Sequence, residues 1–154
     1  MWPAIGLVVL AMAAGACTAH VKVARSVAVQ SPRAEPTTPE ATVVAYYAAV
    51  GRHDWSSAAA LLDPTWRAGM ANAFVGDRDN IVRLDHLRDL RVTPATHFEG
   101  LPRGYHNIKQ VFVTYDVVYK QVVASGNGAN SRFLYLGQDV KTGHWRILTI
   151  GTGP

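Results

Sequence analysis

The sequence predicts an α+β domain in which an N-terminal helical hairpin packs on a curved antiparallel sheet, behind an export leader and a tether. Three observations carry this. Two stretches between Thr38 and Leu62 have apolar faces at helical spacing, and Gln110–Ala124 is a long β-branched and aromatic run with two turn-separated partners after it. The third is an uncharged apolar leader that ends at the lone cysteine. Helices first and sheet after is the order of an α+β layer.

Met1–Ala16 hold no charged side chain, and Ile5–Ala14 form an unbroken apolar stretch. A helix needs about 20 apolar residues to cross a ~30 Å hydrocarbon core, so this stretch reads as the apolar part of a secretory signal. Ala14-Gly15-Ala16-Cys17 places the single cysteine directly after small residues. This resembles a bacterial lipobox, which implies a lipid on Cys17 and anchoring on the outer side of the cell membrane. Ordinary cleavage near Ala16 or Ala19 is the alternative. The expected divisions are a signal over 1–16, a lipidated tether over 17–37 and a folded domain over 38–154. The tether contains Ser26, Ser31, Pro32 and Pro36 and no aromatic residue, as a spacer would.

Thr38-Pro39-Glu40 is a helix start, with a Thr cap, Pro at the first position and an acid in the first turn. Val43, Val44, Tyr47, Ala48 and Val50 give its apolar face, and Gly51 its stop. Asp54 caps a second helix with Trp55, Ala58, Ala59 and Leu62 on one face, and Asp63-Pro64 is expected to end it. Trp66, Met70 and Phe74 allow a short third helix. Ile81–Leu90 fits a helical turn or an irregular entry into a strand, and Arg91–His97 a strand in which Pro94 marks an edge or bulge.

The β pattern follows. Val111, Val113, Tyr115, Val117 and Tyr119 share one face of a strand, and Phe112, Thr114, Asp116, Val118 and Lys120 the other. Ser125-Gly126-Asn127-Gly128 is a hairpin turn, Arg132–Gly137 pairs back, Lys141-Thr142-Gly143 turns again, and His144–Ile150 closes a meander.

A helix pair joined by Arg52-His53-Asp54-Trp55 and followed by a long antiparallel sheet resembles the nuclear transport factor 2-like cone fold, whose relatives include ketosteroid isomerase and SnoaL-type polyketide cyclases. The ending Trp145-Arg146-Ile147-Leu148-Thr149-Ile150-Gly151-Thr152-Gly153-Pro154 is similar to that of a family of bacterial lipoproteins with this fold and a closing WxIxxIGTGP pattern. That family has no assigned activity, so the resemblance implies a fold and a location. The cone fold implies a pocket between helices and sheet. Its isomerase members imply a Tyr from a helix, here Tyr46 or Tyr47, with an acid from the sheet, here Asp116. Strand alternation sets Asp116 opposite the aromatic face, against that pairing.

Composition narrows the classes further. Apolar residues make up 49% and charged residues 17%, which excludes a disordered chain. The net charge of +4 comes without any basic run, so no nucleic-acid footprint is expected. His20, His53, His86, His97, His106 and His144 fall in different elements without ligand spacing, so neither metal nor cofactor is expected. No Gly-x-Ser-x-Gly elbow or P-loop occurs. Tyr47, Trp55, Trp66, Tyr115, Tyr119 and Trp145 are first of all core, and otherwise the lining of a partly open pocket for an apolar molecule. Three functions fit: a non-catalytic envelope lipoprotein whose cone binds a small apolar ligand or a partner protein, an isomerase or cyclase with a Tyr/Asp pair, and a module that dimerises through the outer sheet face at Phe112, Thr114, Asp116 and Val118.

Overall fold

Three short helices precede five strands in the computed structural model, which describes residues 34–71, 83–100, 104–122 and 126–152. The leader, Cys17, Phe74, Ile81, Ser125 and the last two residues lie outside the described residues. No described helix is long and apolar enough to cross a membrane.

Helix α1 runs Pro39–Gly51, and the Thr38 hydroxyl accepts from Ala41 N at 3.1 Å, so the expected cap is in place. Helix α2 runs Trp55–Ala60 with Asp54 as its cap. Helix α3 runs Pro64–Ala71. Asp63-Pro64 therefore opens a third helix as well as closing off the second, because Pro is favoured in the first helical turn and Asp63 Oδ1 accepts from Thr65 N and Trp66 N.

The strands are β1 (Leu84–Val92), β2 (Thr96–His97), β3 (Tyr105–Tyr119), β4 (Gly128–Asp139) and β5 (Trp145–Gly151). The sheet order is β1-β3-β4-β5, with β2 also beside β3, and these neighbouring strands run antiparallel. Of the two readings for Ile81–Leu90, the strand prevails from Leu84 onward. Pro94 sits between β1 and β2, where no ladder hydrogen bond is asked of it.

One face of the sheet carries the core. Val43, Tyr46, Tyr47 and Val50 of α1 pack with Leu62, with Val111, Val113, Tyr115 and Val117 of β3, and with Leu134, Leu136, Trp145 and Ile147. Burial alternates along β3 as the sequence pattern requires. The α2–α3 link is laid directly on β5. Asp63 N donates to Ile147 O and Ile147 N to Leu61 O, at 2.8 and 2.9 Å.

Bulges interrupt the ladders at chosen places. β1 slips register between Arg88 and Arg91, and β3 between His106 and Lys109. Each slip contains a non-glycine residue with positive φ, Asp89 at 54° and Asn107 at 51°. Asp and Asn tolerate that region because their short side chains bond locally.

Candidate functional site

The helix-covered side of the sheet is filled by rings. The Tyr47 ring lies 4.9 Å from that of Tyr115 and 5.2 Å from that of Tyr46. Tyr47, Tyr115 and Trp145 are 4%, 7% and 8% exposed, so these three of the six aromatic candidates are core. Trp145 Nε1–H donates to Thr37 O at 3.2 Å, fastening the chain before α1 to β5. Arg146 bonds Glu35 at 3.3 Å alongside it. Trp66 and Tyr119 are half-buried at the margin of the same cluster. Trp55 stands apart, exposed and stacked on the His53 ring at 5.5 Å.

Asp116 pairs with Arg88 on one side and Ala129 on the other, in the set that alternates with Val113, Tyr115 and Val117. It therefore faces away from Tyr46 and Tyr47, and the arrangement an isomerase needs is not assembled. Among the described residues, no three His, Cys, Asp or Glu side chains are grouped to hold a metal ion.

The opposite face of the sheet carries an apolar groove of about 290 Å³, lined by Phe98, Gly100, Ile108, Tyr135, Leu148 and Thr149. Two bulges and a glycine build it. β3 places Ile108 as an extra residue against β4, and β5 places Leu148 as an extra residue on the other side. Both side chains fold over Gly137: a Cβ there would meet Ile108 Cδ1 at 2.8 Å and Leu148 Cδ1 at 2.9 Å. Phe98 packs edge-on against Tyr135, with ring centroids 4.6 Å apart, and Gln110 Nε2–H donates to the Tyr135 hydroxyl at 2.7 Å. Next to it on the same face, the cross-strand pair Phe112 and Phe133 has its centroids 4.8 Å apart.

Sequence reasoning missed this groove. Phe98 lies in a link with no periodicity, and bulges leave no signature in a two-residue repeat. The available signal was Gly137, a glycine inside a strand pattern, which marks a bulge or a close approach.

The carboxylates that hold the frame are themselves perturbed. Partial burial works to raise the Asp63 pKa, but the hydrogen bonds from Tyr105, Trp66 and Thr65 outweigh it and leave the acid below its ordinary value. The Tyr105 phenol is pushed up, by burial first and then by its bond to Asp63. Glu40 is lowered chiefly by the Ala95 N–H, which donates to it at 2.7 Å.

Residues 40–151 match the family described as Domain of unknown function (DUF4829). The chain belongs to the DUF4829 family. No curated protein matches it in sequence. Among solved structures, this DUF4829 domain is similar to a chain described as a calcium/calmodulin-dependent protein kinase type II association domain from Thiobacillus denitrificans. The two share 18% identity at a TM-score of 0.48, over 79% of this chain and 98% of that one.

Proposed function

We propose that this DUF4829 domain is a non-catalytic binding module of the cell envelope, held at the outer side of the membrane by a lipid on Cys17, that takes a small apolar ligand. The groove of Phe98, Ile108, Tyr135 and Leu148 is the observation that carries the reading. The expected site moves from the helix-covered face to the other side of the sheet, because the first is filled by Tyr46, Tyr47 and Tyr115. About 290 Å³ lies at the small end of the usual ligand range of ~300–1,000 Å³, so a molecule of two small ring systems or a short alkyl chain fills it. A neutral apolar probe such as N-phenyl-1-naphthylamine raises the melting temperature by linkage. In fractionated cells Cys17→Ala moves the protein out of the membrane fraction or traps a precursor. No change in either measurement removes the reading. Enolisable steroids are not turned over, since Asp116 faces away from the helix tyrosines.

The Phe112–Phe133 pair favours a second reading, self-association through this same face. Sedimentation equilibrium that gives a dimer, dissociated by Phe112→Lys, supports it. A monomer at every concentration removes it.

A further inference from the structure

One end of the sheet, where β1 begins and β3 ends, carries aromatic, apolar and cationic side chains together. Trp55 stacks on the His53 ring at 5.5 Å, and His53 Nε2–H donates to the backbone carbonyl of Asp85 at 3.1 Å, which sets the indole beside the start of β1. Lys120 N donates to Arg83 O at 2.8 Å, so these two cations stand opposite each other, one step beyond the Leu84–Tyr119 pair. Arg52 adjoins His53 at the end of α1, and Val122 follows closely on Lys120. Trp55 is 39% exposed and Val122 54%, so both present apolar surface to water.

Like charges directly opposite across two strands are destabilising. Here no acid offsets them. Among the described residues, the side chains of Arg52, Arg83 and Lys120 make no hydrogen bond or ion pair. The two acids in the same segments are committed elsewhere, Asp85 to His86 at 3.1 Å and Asp54 to the cap of α2. An anionic partner relieves the repulsion, and the exposed apolar groups select among anionic partners. An indole has an apolar body and a polar N–H, and it settles where lipid headgroups meet acyl chains. Lys and Arg beside it reach the headgroup phosphates of an anionic leaflet. A nucleic-acid backbone supplies phosphates without an apolar layer to receive Val122.

We propose that this end of the sheet docks on a bilayer containing anionic phospholipid, with Trp55 and Val122 at the interface and Arg52, Arg83 and Lys120 on headgroup phosphates. The contact needs no lipid on Cys17 and shares no residue with the apolar groove. The test is fluorescence of the full chain with vesicles of phosphatidylcholine alone or mixed with phosphatidylglycerol, each carrying brominated acyl chains that quench indole on contact. Subtracting the Trp55→Phe spectrum isolates Trp55 from Trp2, Trp66 and Trp145. Trp55 emission is quenched on the anionic vesicles and at least threefold less on the neutral ones. Added salt weakens the quenching, as does Arg83→Gln with Lys120→Gln, by at least threefold at unchanged melting temperature. Lys120→Gln alone, at an exposed side chain, weakens it at least twofold and covers the case of an unfolded double variant. Insertion of the leader, or of a lipid on Cys17, brings the chain to both vesicle types and leaves Trp55 unquenched. The proposal is overturned if Trp55 stays unquenched on anionic vesicles, if neutral vesicles quench it equally, or if the folded variants behave as wild type. A DNA duplex that binds more tightly than the anionic vesicles, at equal phosphate concentration, overturns it too.

Discussion

Ile108 and Leu148 reach from neighbouring strands on either side of β4 to close over Gly137, each with a Cδ1 within 3 Å of where a Cβ on that glycine would sit. Both are extra residues at bulges, so the backbone irregularity of β3 and β5 is what builds the apolar groove. Gly137→Ala forces both of them aside and also meets Tyr105 Cβ at 2.8 Å. Overpacking of this kind costs about 1–3 kcal/mol, read as a lower midpoint in urea with an unchanged slope. A variant as stable as wild type means that the space over Gly137 is looser than described.

Tyr105 O–H donates to Asp63 Oδ2 at 2.6 Å, while Asp63 Oδ1 caps α3. One carboxylate thus joins the α2–α3 link to the start of β3. Tyr105→Phe removes a charge-assisted hydrogen bond and costs about 1.5–3 kcal/mol. Asp63→Ala costs more, since it also removes the cap and leaves the partly buried phenol without its acceptor. Equal losses in the two variants count against the shared role of Asp63.

Asp63 and Glu40 have folded-state pKa values below their ordinary ones, so the unfolded chain binds more protons in acid. Their stabilisation is complete above the ordinary carboxylate pKa of about 4 and is lost as pH falls through the lower folded values. Denaturation midpoints drop as pH falls below the ordinary carboxylate pKa of about 4, and Asp63→Asn with Glu40→Gln flattens the drop. A pH profile identical to wild type in the double variant contradicts this.

How far the sequence revealed the fold follows from what repeats. Two-residue alternation from Val111 to Val117 and the Thr38 and Asp54 caps were legible, because each depends only on near neighbours. β1 was ambiguous because its bulge at Asp89 breaks the period and its residues are largely polar. The paired start of β3 at Tyr105 was missed for the same reason, since the slip near Asn107 hides the alternation there. The burial of Tyr47, Tyr115 and Trp145 agreed with their apolar character, whereas the groove depends on Phe98 and Leu148 meeting across distant segments.

Trp145 is both core and fastener. Trp145→Ala removes a buried indole and costs about 3–5 kcal/mol. Trp145→Phe keeps most of the packing and loses the bond to Thr37 O, at roughly 0.5–1.5 kcal/mol. Proteolysis near Thr37 quickens in both variants relative to wild type. An Ala variant no less stable than the Phe variant contradicts the core role.

Fluorescence titration with N-phenyl-1-naphthylamine, on wild type, Phe98→Ala, Thr149→Arg and Asp116→Asn, tests the proposed ligand groove most directly. Phe98, which is 37% exposed, and Thr149 line the rim, so their replacement changes the groove without emptying the core. Wild type and Asp116→Asn are expected to bind saturably, and Phe98→Ala and Thr149→Arg to lose at least tenfold at unchanged melting temperature. Undiminished binding in those two folded variants contradicts this.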